Sequence, residues 1–220
     1  MTDIASTISV KGITEIVHFS TNLGLLGCLH TGYLLPRSRL PENQSLAHIL
    51  TLNAPFRAEE RPSFDKSERW IDYVNMSVSE ITTNLFKHSL KWHADRDIYW
   101  VILSFDPELC SDDGVYFSTT NNIYPGTIRG KGGEALEALF ANRIHRRDDW
   151  YANRRNRAAH LPTCEQAEVL YPAKVDMRFL RRVYVREGEE ADSVYALLSQ
   201  YSRQDVAVVL DPEKFKGQSN

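Results

Sequence analysis

The chain has 220 residues, of which 42% are hydrophobic and 25% charged, and a formal net charge of −3. That length can bury a genuine core in one domain, and the composition excludes disordered and fibrous classes. A net negative chain has no overall attraction for polyanions, and no run of about 18 apolar residues offers a membrane span.

In chain order, the first nine residues carry Asp3 and lack an apolar run, so no signal peptide and a cytoplasmic location are expected. Residues 13–19 read as a strand, followed by a helix over 21–30. Ser20 or Thr21 can cap that helix, Leu23, Leu26 and Leu29 fall along one side, and Gly32 can end it. A second helix is expected over 41–50, with Pro41 in its first turn and Leu46, Ile49 and Leu50 at helical spacing. Residues 71–78 alternate: Val74, Met76 and Val78 face the core, and Tyr73, Asn75 and Ser77 the other way, as in a strand lining a cleft. Residues 98–105 are nearly all apolar and read as a central, doubly buried strand.

Residues 114–118 form a short strand, and 134–144 a helix with Leu136, Leu139, Phe140 and Ile144 inward. Between them, Gly126 to Gly133 invites a phosphate-loop reading. Its glycine spacing is one residue short, however, and Gly132 follows Lys131 where Ser or Thr is required, so a flexible basic loop is expected. Strands at 166–171 and 179–185, a helix at 192–201 and a strand at 206–210 complete an irregular alternation, which predicts an α+β fold.

Cys28, Cys110 and Cys164 are scattered, with no CxxC or Cys/His cluster, so neither a disulfide framework nor a metal site is expected. One local exception to the acidic balance stands out. Across residues 143–157, six arginines (Arg143, Arg146, Arg147, Arg154, Arg155 and Arg157) face two aspartates, a local charge of +4. With Trp150 and Tyr151 interleaved, this stretch reads as a track for single-stranded nucleic acid, arginines on phosphates and aromatics on bases. Directly after it, Gln166 and Glu168 project to one face if both lie in a strand. There an amide can read a base, and a carboxylate can bind a sugar hydroxyl or stabilise positive charge.

The run Thr163-Cys164-Glu165-Gln166-Ala167-Glu168-Val169-Leu170 resembles the ADP-ribosylating-turn motif of the DarT family of nucleic-acid ADP-ribosyltransferases. His18-Phe19-Ser20-Thr21-Asn22-Leu23 resembles the family's N-terminal motif at the end of the first strand. Asp72 to Val78 resembles its Asp-Tyr-Val strand, and Gly114 to Phe117 through Asn121-Asn122 a later strand and turn. These segments span about residues 12–186. The chain departs from better-known members at 75–78, Asn-Met-Ser-Val in place of Pro-Phe-Tyr-Phe.

The resemblance implies an ADP-ribosyltransferase-like fold, with split mixed and antiparallel sheets around an NAD cleft and flanking helices. It would form one domain over 1–220, with a basic substrate-contacting segment near 141–163 and a C-terminal strand-helix-strand near 179–211. It implies that Glu168 is the catalytic glutamate and that NAD is the co-substrate, with no metal. His18 would hold the NAD ribose or carboxamide, and Ser20, Asn22, Tyr73 and Ser77 would line the cofactor site. Gln166 would orient the acceptor base, with Arg147, Arg154, Arg155, Arg157, Trp150 and Tyr151 on the nucleic acid. An arginine after the second helix is also implied; Arg57 is chosen, with Arg61 and Arg69 as alternatives. The implied activity is modification of guanosine or thymidine in single-stranded DNA by a toxin of a toxin–antitoxin or antiphage system, reversed by a macrodomain antitoxin. RNA as acceptor, a protein ADP-ribosyltransferase or NAD hydrolase, and a nucleic-acid-binding module with a decayed site are the alternatives.

Overall fold

The protein is described by a computed structural model covering residues 3–40 and 69–218. The expected helix at 41–50, and Arg57 and Arg61, lie outside the described residues.

Helix α1 (Ile4–Lys11) leads into strand β1 (Ile16–Thr21) and helix α2 (Asn22–Thr31). Of the two caps the sequence offers, Thr21 serves α2 by accepting from Gly24 N at 3.1 Å, and Gly32 ends the helix, as expected, with a left-handed φ of 76°. The inward face differs from the expected one. Gly24, Leu25, Cys28 and Leu29 are buried, while Leu26 is 40% exposed and Leu23 half-buried. The phase is set at the first residue, because Asn22 exchanges bonds with the main chain of Tyr99 (N to O 2.9 Å; Tyr99 N to Asn22 Oδ1 3.3 Å). Anchored there, α2 turns Leu25 and Cys28 inward.

Strands β2 (Tyr33–Leu34) and β3 (Tyr73–Val78), helix α3 (Thr83–Trp92), and strands β4 (Trp100–Phe105), β5 (Tyr116–Ser118) and β6 (Arg129–Gly130) follow. The basic segment expected to be a flexible loop therefore contains β6, which pairs with β5. Helix α4 (Gly132–Ala138) is shorter than expected. Its last turn tightens through bonds from Leu139, Phe140 and Ala141 to carbonyls three residues back, and Ile144 belongs instead to β7 (Arg143–Arg147). β8 (Trp150–Asn153) makes a hairpin with β7. Then come β9 (Glu168–Pro172), β10 (Val175–Asp176), β11 (Leu180–Val185), α5 (Gly188–Gln200) and β12 (Ala207–Leu210). α5 starts four residues before the expected point because Glu190 accepts from the main-chain N–H groups of Arg186 and Glu187.

Eight strands form one sheet in the order β12-β11-β4-β1-β3-β9-β5-β6, antiparallel except for β11 with β12. All six residues of β4 are buried, as a strand flanked on both edges and covered on both faces requires. Ile16, Val74, Met76, Val101, Leu103 and Val169 pack on one face with Leu25, Leu136 and Val194. Val17, Trp100 and Ile102 pack on the other with Phe86 and Phe215.

The sheet has a seam. β1 pairs with β4 along its whole length, but with β3 only at Ile16↔Val78 and Val17↔Ser77. β3 meanwhile pairs with β9 from Tyr73↔Pro172 to Met76↔Val169. The two halves share two rungs, and the ladder between them stops at His18.

Candidate active site

Glu168 is the first residue of β9, opposite Ser118 of β5. Its Oε1 accepts from the side-chain amide of Asn75 at 3.1 Å, and its Oε2 from the main-chain N–H of Asn122 at 2.6 Å. Asn75 reaches it because β3 sends Val74 and Met76 into the core and turns Asn75 outward. Asn122 reaches it because the turn after β5 is closed on itself: Ser118 Oγ donates to Thr120 O (2.8 Å) and lies 3.1 Å from Thr127 Oγ1, and Thr119 N donates to Ile128 O. Arg129 grips Asn122 at both its side-chain and main-chain oxygens, and its guanidinium lies 5.1 Å from the Trp70 ring. Trp70, Tyr73 and Tyr116 pack edge to face or tilted, with centroids 5.4–6.0 Å apart, forming an aromatic wall along the strands from the carboxylate, where Tyr116 lies opposite Leu170 and Tyr73 opposite Pro172.

His18 stands at the seam, with Nδ1 2.8 Å from the carbonyl oxygen of Asn75. Burial holds its pKa below the ordinary 6.5, and the bond to the carbonyl opposes that shift only in part. The imidazole is therefore neutral near pH 7. A carbonyl can only accept, so Nδ1 carries the proton and Nε2 is left as an acceptor. A hydrogen-bonded line thus runs from His18 through Asn75 and Glu168 to Asn122 and Arg129.

The structure places the other expected residues as follows. Gln166 does not share a strand face with Glu168. It sits in the turn closed by Ala167 N to Cys164 O (3.0 Å), is 9% exposed, and its Oε1 is buried with no hydrogen-bond partner among the described residues. Asn22 Oδ1 accepts from Tyr99 N, just before β4, so its amide oxygen serves the fold. Ser20 lies on β1 opposite Val101, and Ser77 on the last rung shared by the two halves, both half-buried. Arg69 is 80% exposed and paired with Asp72 at 3.5 Å.

The basic segment divides in two. On the hairpin, Arg143, His145, Arg147, Trp150 and Tyr151 are exposed, while Ile144 and Ala152 pack inward with Cys164. Arg143 lies over the Tyr151 ring at 3.7 Å, and Arg147 near Tyr124 and Trp150 at 5.4 and 5.5 Å. Beyond the hairpin, Arg155 is exposed, but Arg154 and Arg157 are not the free phosphate contacts expected of them. Arg154 donates to the carbonyls of Ala158, Ala159 and Leu161 and to Thr163 Oγ1. Arg157 is 6% exposed, donates to Pro162 O and Gln218 O at 2.7 Å each, and pairs with Glu80. Both guanidiniums hold the loop that leads into β9.

Sequence reasoning missed Arg129 and Trp70, and gave Asn75 and Asn122 no role at the carboxylate. No periodic signal marks them, because the two asparagines lie 93 and 46 residues from the carboxylate they hold. Among the described residues no cluster of three His, Cys, Asp or Glu side chains could hold a metal, and no helix is long and apolar enough to cross a membrane.

Over residues 17–216 the sequence matches the family described as DarT, ssDNA thymidine ADP-ribosyltransferase. No curated protein matches it. Among solved structures, the fold resembles Thermus sp. 2.9 DarT in complex with NAD+ (TM-score 0.61, 15% identity, 92% of this chain and 97% of that one). It also resembles the same protein in complex with ADP-ribosylated ssDNA (TM-score 0.61, 16% identity, 92% and 96%). A third likeness is to Thermosipho africanus DarTG in complex with ADP-ribose (TM-score 0.60, 16% identity), where the match covers 92% of this chain but 51% of the other. This chain thus spans about half the length of that protein. Identities this low make these likenesses of fold.

Proposed function

The chain belongs to the DarT family, and from that premise we propose that it cleaves NAD+ and transfers the ADP-ribose to thymidine in single-stranded DNA. NAD+ is the co-substrate. The observation that carries this reading is the carboxylate of Glu168, held at both oxygens beside a seam in the sheet where His18 presents an acceptor nitrogen.

As the bond between nicotinamide and ribose opens, positive charge develops at the ribose carbon. Glu168 accepts a hydrogen bond from a ribose hydroxyl, orients the sugar and stabilises that charge. Neutral His18 accepts from a second ribose hydroxyl or from the carboxamide N–H. Tyr73, in the aromatic wall, and Ser77, at the seam, flank the bound dinucleotide. Nicotinamide leaves as a neutral molecule, so no metal is required. The base nitrogen forms the new bond to ribose and releases its proton. That nitrogen is accessible only when the base is unpaired, which accounts for a single-stranded acceptor. The exposed hairpin face, with Arg147, Trp150 and Tyr151, suits such a strand, cations on phosphates and rings on bases. Arg57 remains the proposed active-site arginine. A toxin role follows from such chemistry, with a macrodomain antitoxin that removes the mark as partner; the longer DarTG chain with bound ADP-ribose supports that pairing.

Incubation with NAD+ and a thymidine-containing oligonucleotide should raise the oligonucleotide mass by one ADP-ribose. Glu168→Gln should lower the rate by about two to three decades. Modification of protein or RNA in place of the DNA, or a Glu168→Gln variant as fast as the parent, would overturn this reading.

A further inference from the structure

The two groups assigned to the breaking bond stand on opposite halves of the sheet, and beyond Val17↔Ser77 no ladder rung joins those halves. Asn75 spans the seam. Its main-chain carbonyl holds His18 Nδ1 at 2.8 Å, and its side-chain amide holds Glu168 Oε1 at 3.1 Å. The register makes this possible: Asn75 lies opposite Leu170 on β9, so its side chain shares a face with Glu168, two residues along.

We propose that Asn75 is a positioning residue for the transfer reaction, fixing the imidazole with its main chain and the carboxylate with its side chain. The spacing between the two is thereby set before NAD+ arrives. This rests on the reading that Glu168 and His18 act on NAD+. Asn122, braced by Arg129, holds the second carboxylate oxygen, so Asn75 supplies the donor that stops the carboxylate from turning about its last bond. A carboxylate can accept about four hydrogen bonds, so this clamp leaves capacity for a ribose hydroxyl. The purpose of such bracing is geometric, because catalytic groups held loosely by even an ångström lose much of their effect.

Among the described residues, the charged and titratable groups near the amide are His18 from β1, Glu168 from β9, Tyr73 and Tyr116 from β3 and β5, and Arg129 acting through Asn122. Asn75→Asp preserves size and the main-chain carbonyl, removes the donor, and sets a second carboxylate against Glu168. Nicotinamide release should fall about 100-fold in kcat near neutral pH, with KM for NAD+ little changed. The ratio of variant to parent kcat should rise as pH falls, because two carboxylates in contact take up a shared proton that restores a donor. Asn75→Ala removes the donor without adding charge, so it should lose kcat with a ratio independent of pH. The side chain is exposed, and both variants should melt close to the parent.

Parental kcat in either variant, or the same flat ratio in both, would overturn the proposal. Release is measured with oligonucleotide and with water alone as acceptor. A parent that cleaves NAD+ but leaves DNA unmodified faults the acceptor assignment and keeps the test of Asn75 intact. A parent that releases no nicotinamide removes both.

Discussion

His18 shows how one side chain can carry a pH signature. Because burial lowers its pKa, the folded protein resists a proton that the unfolded chain accepts near 6.5. Stability contributed by this residue therefore falls as pH drops through 6.5 and levels off below the folded value. Activity should follow the folded value: kcat/KM should be level through neutrality and fall in acid, where Nε2 becomes a donor and can no longer accept. His18→Gln should be slower and lack that acid limb. A limb that persists in the variant would assign it to another group.

At the scale of elements, the arginines of one basic run serve two purposes, decided by the face each presents: alternation along β7 turns Arg147 outward and Arg146 inward beside Glu165. Arg147 on the hairpin is exposed among aromatic rings, whereas Arg157 in the following loop is buried against Glu80. Arg147→Ala should weaken oligonucleotide binding and reduce the slope of log affinity against log salt by about 0.7, the effect of leaving one phosphate unneutralised. Arg157→Ala should leave that slope unchanged and lower the unfolding free energy in urea by about 3–5 kcal/mol, since it strands a buried carboxylate. Burial already pushes the Glu80 pKa up, with Arg157 opposing it. Without the arginine, Glu80 should rise further above its unfolded value. The folded variant then holds a proton that the unfolded chain has released, so its stability should recover as pH falls through that raised value.

For the whole molecule, the sheet combines a continuous core with an interrupted ladder. β4 knits one half together with six buried residues, and Leu103→Ala should cost about 2–5 kcal/mol, measured by chemical denaturation. The β1–β3 ladder ends after two rungs, and it is there that His18, Asn75 and Glu168 converge. Stability is drawn from the paired strands, and the candidate site stands where pairing ends.

Much of this was present in the order of residues. The alternation of 73–78, the apolar run of β4, the cap at Thr21 and the stop at Gly32 are local patterns, governed by side-chain period and backbone dihedral preference, and all four appear in the structure. Glu168 and His18 could be singled out because they sit in recognisable runs. What surrounds them could not. Gln166 falls in a turn, Arg157 is buried against Glu80, 77 residues away, and Asn75 meets a carboxylate 93 residues away. Those outcomes depend on strand register and on which loops close over which faces. Hydrogen bonds and ion pairs reach only about 3–4 Å, so chain order alone cannot say which distant groups come within that range.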